Sequence, residues 1–372
     1  MRKQLGSVAV IGVVALLAAA CGSSSSGGSS SSSSSSGSSG GSTTAKFKAC
    51  VVSDTGTIND KSFNQSAYAG ATSAASASGG KITAQFLPSA SSTDYASNIT
   101  TFINQKCGII VTVGYLMGDA TQAAAKANPN QKFAIVDFSY PKPLKNVDAL
   151  LFNTVEDGFQ GGYLAAAMSK TGKVATFGGQ KLPTVTIYMD GFWDGVQYYN
   201  QKKHKDVKVL GWNEKTQNGS FTGNFTDLTA GQRLTNTFIS EGADVIFPVA
   251  GNVGLGAAKA VQNADNAAGT QKVNMMWVDV DGCVLAAQYC KYFITSINKG
   301  VQTAVNHAVT TAQAGTFKGG DYVGTLANGG VGLAPFHDFA SKIPASVKTE
   351  LDQIKTDIEN GTIKPATPSP AK

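Results

Sequence analysis

The sequence predicts an α/β fold of parallel sheets with crossover helices. Two observations predict it: short runs rich in Val, Ile and Phe recur along the chain, and Ala-rich stretches of helical character lie between them. The runs are nearly continuous apolar stretches, broken only by Thr112 and Thr176, rather than alternating, as strands buried on both faces tend to be. In chain order, run 49–52 is followed by helical segment 64–76, and run 109–113 by segment 121–127. Run 133–136 precedes segment 162–168, and run 174–177 precedes segments 191–200 and 231–240. Run 245–249 leads into segment 256–262, and run 275–278 closes the series. In an open α/β sheet a ligand binds beyond the carboxyl ends of the strands, so the residues just after each run are the candidates for a site.

The start of the chain predicts export. Arg2 and Lys3 precede an apolar run, 8–20, that ends in small residues before Cys21. About thirteen residues are too few to span a bilayer, which takes roughly 20, so 1–21 is read as a cleaved signal peptide rather than an anchor. The stretch Leu17-Ala18-Ala19-Ala20-Cys21-Gly22 resembles a lipobox, with Ala18 standing where Leu is usual. It implies lipidation of Cys21 and an extracytoplasmic protein held to the cell membrane by its N-terminal lipid. Residues 22–45 are almost entirely Ser and Gly and cannot offset their own conformational entropy. As a flexible tether they would have an average reach of roughly 27 Å.

Residues 46–372 are enough for two α/β lobes. The chain carries 30 basic and 24 acidic side chains, two of the basic ones in the leader. So small and scattered an excess does not argue for nucleic acid. Past Cys21 there are four cysteines, an even number in an exported chain, with three possible pairings. The preferred one joins Cys50 to Cys107, each beside an apolar run, and Cys283 to Cys290 across a short loop. Loop entropy would make these worth about 4 and 2–3 kcal/mol. A zinc site is the rival, but no CxxC or neighbouring His pair supports it.

Four runs deliver small or acidic groups to one edge. SDTGTINDKSFNQSAY, 53–68, follows the first; Asp137 and Phe138 follow 133–136; AGNVGLGAA, 250–258, follows 245–249; Asp279 and Asp281 follow 275–278. A single Asp at such a place is usually a turn or cap residue; several in register suggest a site. The GNVGLG run is spaced GxxGxG rather than GxGxxG, which argues against a dinucleotide fold. His204, His307 and His337 stand far apart, and no GxSxG, HExxH or Walker A pattern occurs. No enzyme activity, cofactor or metal is expected.

Seven segments carry a closer resemblance: DTGTINDKSFNQSAY, EDGFQGGYLAAAMSKTGKVATFGG, MDGFWDGVQYYN, NFTDLTAGQ, ADVIFPVAGNVGLGAA, WVDVDG and ITSINKGVQTAV. In these the chain resembles the basic-membrane-protein (BMP) family, nucleoside-binding lipoproteins of ABC importers. Gly282 departs from the Gln that many members have there. The resemblance implies a type I periplasmic-binding-protein fold, two doubly wound lobes joined by three crossovers. It places lobe one at 46–138 plus 282–316 and lobe two at 139–281 plus 317–372. The tail after Gly361, with Pro365, Pro368 and Pro370, is expected to be a frayed end.

A nucleoside needs aromatic faces, acceptors for ring N–H groups and a carboxylate for its diol. The resemblance assigns Phe63 and Phe225 to the faces of the base, and Asp137 and Asn64 to its edge, where a carboxylate accepts and an amide does both. It assigns Asp279 to the ribose hydroxyls, Lys299 to the sugar oxygens and Asp54 to the neighbourhood of the ribose. Gly251 would let backbone approach the ligand. The implied protein is a monomer that captures a nucleoside, by this likeness a purine nucleoside, and delivers it to an ABC permease and its ATPase. The alternatives are a simple sugar or other small polar solute, or a surface signalling or adhesion lipoprotein.

Overall fold

In the computed structural model, which describes residues 46–369 and 371, each long apolar run is a strand and each Ala-rich stretch a helix. The signal peptide, Cys21 and the Ser/Gly stretch lie outside the described residues. In chain order come β1 (Phe47–Thr55), α1 (Phe63–Ala77), β2 (Ile82–Ser89), α2 (Tyr95–Asn104), β3 (Ile109–Val113), α3 (Gly118–Ala127), β4 (Phe133–Val136) and β5 (Val147–Phe152). Then follow α4 (Val155–Met168), β6 (Lys173–Gly178), α5 (Pro183–Lys203), β7 (Lys208–Leu210), the short β8 (Trp212–Asn213) and β9 (Asn218–Gly219), and α6 (Leu228–Ser240). The remainder is β10 (Val245–Val249), α7 (Val253–Ala268), β11 (Asn274–Asp279), α8 (Gly282–Leu285), β12 (Phe293–Lys299), α9 (Val301–Ala314), β13 (Gly320–Gly324), β14 (Val331–Leu333) and α10 (Ala345–Glu359).

Two six-stranded sheets result. Their orders are β13-β5-β4-β3-β1-β2 and β14-β12-β11-β10-β6-β7, with β8 and β9 forming a small separate hairpin. The pairs are parallel except the edge pair β12–β14 and the hairpin. Apart from the edge strands β13 and β14 the two orders are the same in kind, so β4 of the first sheet corresponds to β11 of the second. The chain crosses between sheets after β5, after β12 and after β13, which gives three crossovers and two lobes, the type I binding-protein architecture. Ala49, Val51, Val111 and Ala134 are fully buried in the first sheet, as are Val174, Val245, Phe247 and Met276 in the second.

The lobe boundaries differ from those expected. β5 pairs in parallel with β4, so lobe one runs on past 138 to Phe152, and β12 pairs with β11, so lobe two runs past 281 to Lys299. β13 pairs with β5 and returns residues 320–324 to lobe one. The expected boundaries stopped one strand early because Asp148 interrupts β5, and Thr295, Ser296 and Asn298 interrupt β12, so neither reads as a continuous apolar run.

The tail after Gly361 is not frayed over its described part. Ile363 packs on the core, the Ala366 N–H donates to Asp194 at 2.7 Å, and the Thr367 hydroxyl donates to Asp190 at 2.7 Å. Its prolines exclude a helix, but an extended strand of chain can still be held by side chains that composition does not reveal. Both preferred disulfides are present: Cys50–Cys107 ties β1 to the approach to β3, and Cys283–Cys290 closes the loop after β11. No helix of the described residues is long and apolar enough to cross a membrane.

In lobe two, α4 and α5 cross at unusually close range because glycines meet there. A Cβ on Gly162 would lie 1.9 Å from the Phe192 carbonyl oxygen, and one on Gly195 would lie 2.0 Å from that of Phe159. Only the absence of a side chain permits that approach. It seats the first half of α5, including Tyr188, against the sheet.

Candidate ligand-binding site

The site forms where the carboxyl ends of the two sheets meet. Asp54, Phe63, Asn64, Asp137, Phe225, Gly251, Asp279 and Lys299 all line one cavity of about 630 Å³, counting its open mouth. Lobe one contributes the loop after β1, the start of α1 and the end of β4. Lobe two contributes the ends of β10, β11 and β12 and the loop before α6.

Local capping fixes the first group. The Asp60 carboxylate accepts the backbone N–H groups of Ser62 at 2.9 Å, Asn64 at 2.8 Å and Gln65 at 3.1 Å, tying down the first turn of α1. Phe63 and Asn64 are thereby held at the helix start that lines the cavity. Burial pushes the Asp60 carboxyl up to about 6 against the pull of those three N–H groups. The Asn64 Oδ1 is buried without a hydrogen-bond partner, an acceptor left for a donor in the cavity.

Asp279 gathers groups from both lobes. Its Oδ2 accepts from the Ser62 hydroxyl at 2.7 Å, its Oδ1 from the Tyr188 hydroxyl at 3.0 Å, and Lys299 Nζ lies 3.8 Å from Oδ1. The Ser62 bond spans the lobes, as does that from Trp277 Nε1 to the Lys61 carbonyl at 3.0 Å. Lys299 is 5% exposed and donates to Asp137 Oδ2 at 2.7 Å, a third bond between lobes. Its ammonium also stands 4.9 Å from the centre of the Phe63 ring and 5.4 Å from that of Tyr188. Burial alone would lower the Lys299 pKa, but the Asp137 and Asp279 carboxylates outweigh it and hold the ammonium above its ordinary value.

Asp137 and Asp54 make the lobe-one wall acidic. Burial raises the Asp137 carboxyl, opposed by Lys299. Burial, then the nearby Asp137 and Asp60, push the Asp54 carboxyl well above the usual range. Asp54 packs on Gly114, whose φ of 113° and missing side chain make the contact possible: a Cβ there would fall 2.0 Å from Asp54 Oδ2.

Two expectations change in detail. Phe225 lies over Gly179, where a Cβ would come within 2.4 Å of its ring, so glycine seats the ring. Gly251 has φ 53° and no protein atom near where a Cβ would be, so its own backbone conformation, not crowding by the protein, calls for glycine. Sequence reasoning missed Asp60, Ser62, Tyr115, Thr184 and Tyr188. Asp60 and Ser62 stand in the loop already singled out, where an Asp before a helical run signals a cap. Tyr188 had no such mark, because it lies inside a helix. Asp281, Cys283 and His337 gather nearby with ligand atoms within 4.8 Å of one another, but the Cys283 sulfur is committed to its disulfide.

The profile of the Bmp family, described as ABC transporter substrate-binding protein PnrA-like, matches residues 47–372. The chain is 31% identical over 328 residues to the ABC transporter nucleoside-binding protein BmpA of Lactococcus lactis, covering 85% of this chain and 88% of that protein. It is 31% identical over 328 residues to the CD4+ T-cell-stimulating antigen of Listeria monocytogenes, covering 86% and 87%. Among solved structures, an ABC transporter solute-binding protein of Aeropyrum pernix matches with a TM-score of 0.76 at 26% identity, covering 87% of this chain and 94% of that one. The Lactococcus and Aeropyrum proteins are named as binding proteins of ABC transporters. The chain belongs to the Bmp family of PnrA-like ABC transporter substrate-binding proteins.

Proposed function

We propose that this chain captures a purine nucleoside between its lobes and hands it to the permease and ATPase of an ABC transporter. The observation that carries the reading is that Phe63 and Phe225, borne by different lobes, line one cavity together with Asp137, Asn64 and Asp279. Two rings from opposite sides can take the faces of a flat base, and closure of the lobes then couples to binding. Asp137 and Asn64 supply acceptor and donor groups for a base edge. Asp279 can receive a vicinal diol by exchanging the Ser62 hydroxyl for one of the sugar hydroxyls. The name of the Lactococcus relative, a nucleoside-binding protein, agrees with this chemistry.

Calorimetry of the folded protein with inosine, adenosine and guanosine, and with ribose and glucose as controls, tests it. A dissociation constant in the micromolar range or tighter for a purine nucleoside is expected. Heat with a sugar alone would move the ligand class to sugars, and no heat with any of them would favour a surface role without transport. We also propose that Cys21 carries the lipid that anchors the protein outside the cytoplasm and that the chain acts as a monomer. Mass spectrometry of the membrane-extracted protein, looking for a diacylglyceryl group on Cys21, checks the anchor.

A further inference from the structure

Beyond α10 the chain doubles back along α5, and its anchors lie on one face of that helix. Asp194 accepts from the Ala366 N–H at 2.7 Å, Asp190 from the Thr367 hydroxyl at 2.7 Å, and the Thr186 and Ser369 hydroxyls meet at 3.2 Å. The acceptors are spaced four residues apart, so the segment climbs α5 toward its N-terminal end. Asp190 is fully buried: Trp212 Nε1 and Gln217 Nε2 hold its Oδ1 at 3.0 and 2.8 Å, leaving Oδ2 to Thr367. The N-terminal end of α5 is where Thr184 and Tyr188 line the candidate site.

At that end the segment leaves lobe two. Ala371 packs against the lobe-one core cluster, and Pro368 and Ala371 help to wall a second cavity with Tyr115, Phe138 and Ile187. This cavity reaches Asp137 and Lys299 from a second direction, so it adjoins the candidate site at the ion pair between the lobes.

We propose that residues 363–369 and Ala371 belong to a strap that is fixed on lobe two, rests Ala371 on lobe one, and gates the side of the cleft beside Asp137 and Lys299. The strap rests on the capture reading for its ligand but not for its geometry. Any solute that enters or leaves must part the lobes, and the strap opposes that parting whichever way the solute moves. It therefore slows capture and release alike and leaves the equilibrium between them nearly unchanged.

The test compares the full chain with one stopped after Lys364, which keeps Ile363 on the core. Stopped-flow binding and release of a purine nucleoside should both quicken about tenfold, with Kd within about threefold of the full chain. A full-length Thr367→Val, Ser369→Ala variant, which removes side-chain hydrogen bonds only, should quicken both by about threefold. Hydrogen exchange without added nucleoside should speed up at 138–141 on truncation. Faster release with unaltered capture would overturn the proposal, because the segment would then contribute only affinity. Unaltered exchange at 138–141 would also overturn it. If the full chain binds no nucleoside, the proposed function fails and exchange alone decides the strap.

Discussion

Asp137 and Asp279 are counterparts: each stands at the carboxyl end of corresponding strands β4 and β11, and each has a left-handed backbone, with φ of 68° and 67°. Both carboxylates meet the same ammonium, Lys299, at 2.7 and 3.8 Å. A non-glycine residue in that region is uncommon and costs of order 1–3 kcal/mol, which the surrounding fold must offset. The two lobes thus present matched acids across the cleft, and one cation bridges them.

Lys299→Met leaves two buried carboxylates without their shared cation. The cost of breaking such a pair is about 3–5 kcal/mol, so chemical denaturation should show a loss of that order. The Asp137→Asn, Lys299→Met double variant should recover part of it. Full stability in the single variant would mean that the ammonium is not what holds the acids.

Phe63→Ala and Phe225→Ala should each weaken purine-nucleoside binding by about 1–3 kcal/mol, the range for removing one stacking ring. Both rings are only partly buried, so the fold should persist, as circular dichroism would verify. Equal affinity in both variants would remove the rings from the site.

Gly162→Ala should destabilise the protein by about 3 kcal/mol, the upper range for overpacking, because its methyl would overlap the Phe192 carbonyl. Gly172→Ala, where nothing lies within 4 Å but φ is 74°, should be hurt by backbone strain only. Thermal unfolding of the two variants separates crowding from strain; a Gly162→Ala protein that melts like the parent would refute the close crossing.

Burial and the neighbouring Asp321 push the Asp148 carboxyl up to about 7. Between roughly pH 4 and 7 the folded protein then keeps a proton that the unfolded chain has released, so stability falls as pH rises through that window and levels above it. Asp148→Asn should flatten this limb and raise stability at pH 8 by about 1 kcal/mol, a figure reduced because water still reaches the side chain. Urea titrations at several pH values would show a parallel pH profile in the variant if Asp148 were not the titrating group.

Much of the fold was legible because strands β1, β3, β4, β6, β10 and β11 each hold a short, largely apolar run, the pattern of a sheet covered on both faces. Asp137 and Asp279 were legible for the same reason: an acid at the end of such a run falls on the ligand edge. β5 and β12 were not, since polar residues within them break the run, and the lobe boundaries went wrong with them. Tyr188 was hidden by tertiary packing, because nothing in a helical stretch shows which residue the glycine crossing turns toward the cleft. The strap was hidden too: its holding groups, Asp190 and Asp194, lie far away in sequence.

The Ser62 hydroxyl that bonds Asp279 occupies one of the lone pairs a sugar diol would seek. An arriving solute therefore exchanges one partner for another and gains only the difference. Affinity in such a protein can be retuned at Ser62, for instance by Ala, without altering the groups proposed to recognise the base, so capture strength and selectivity can be inherited separately.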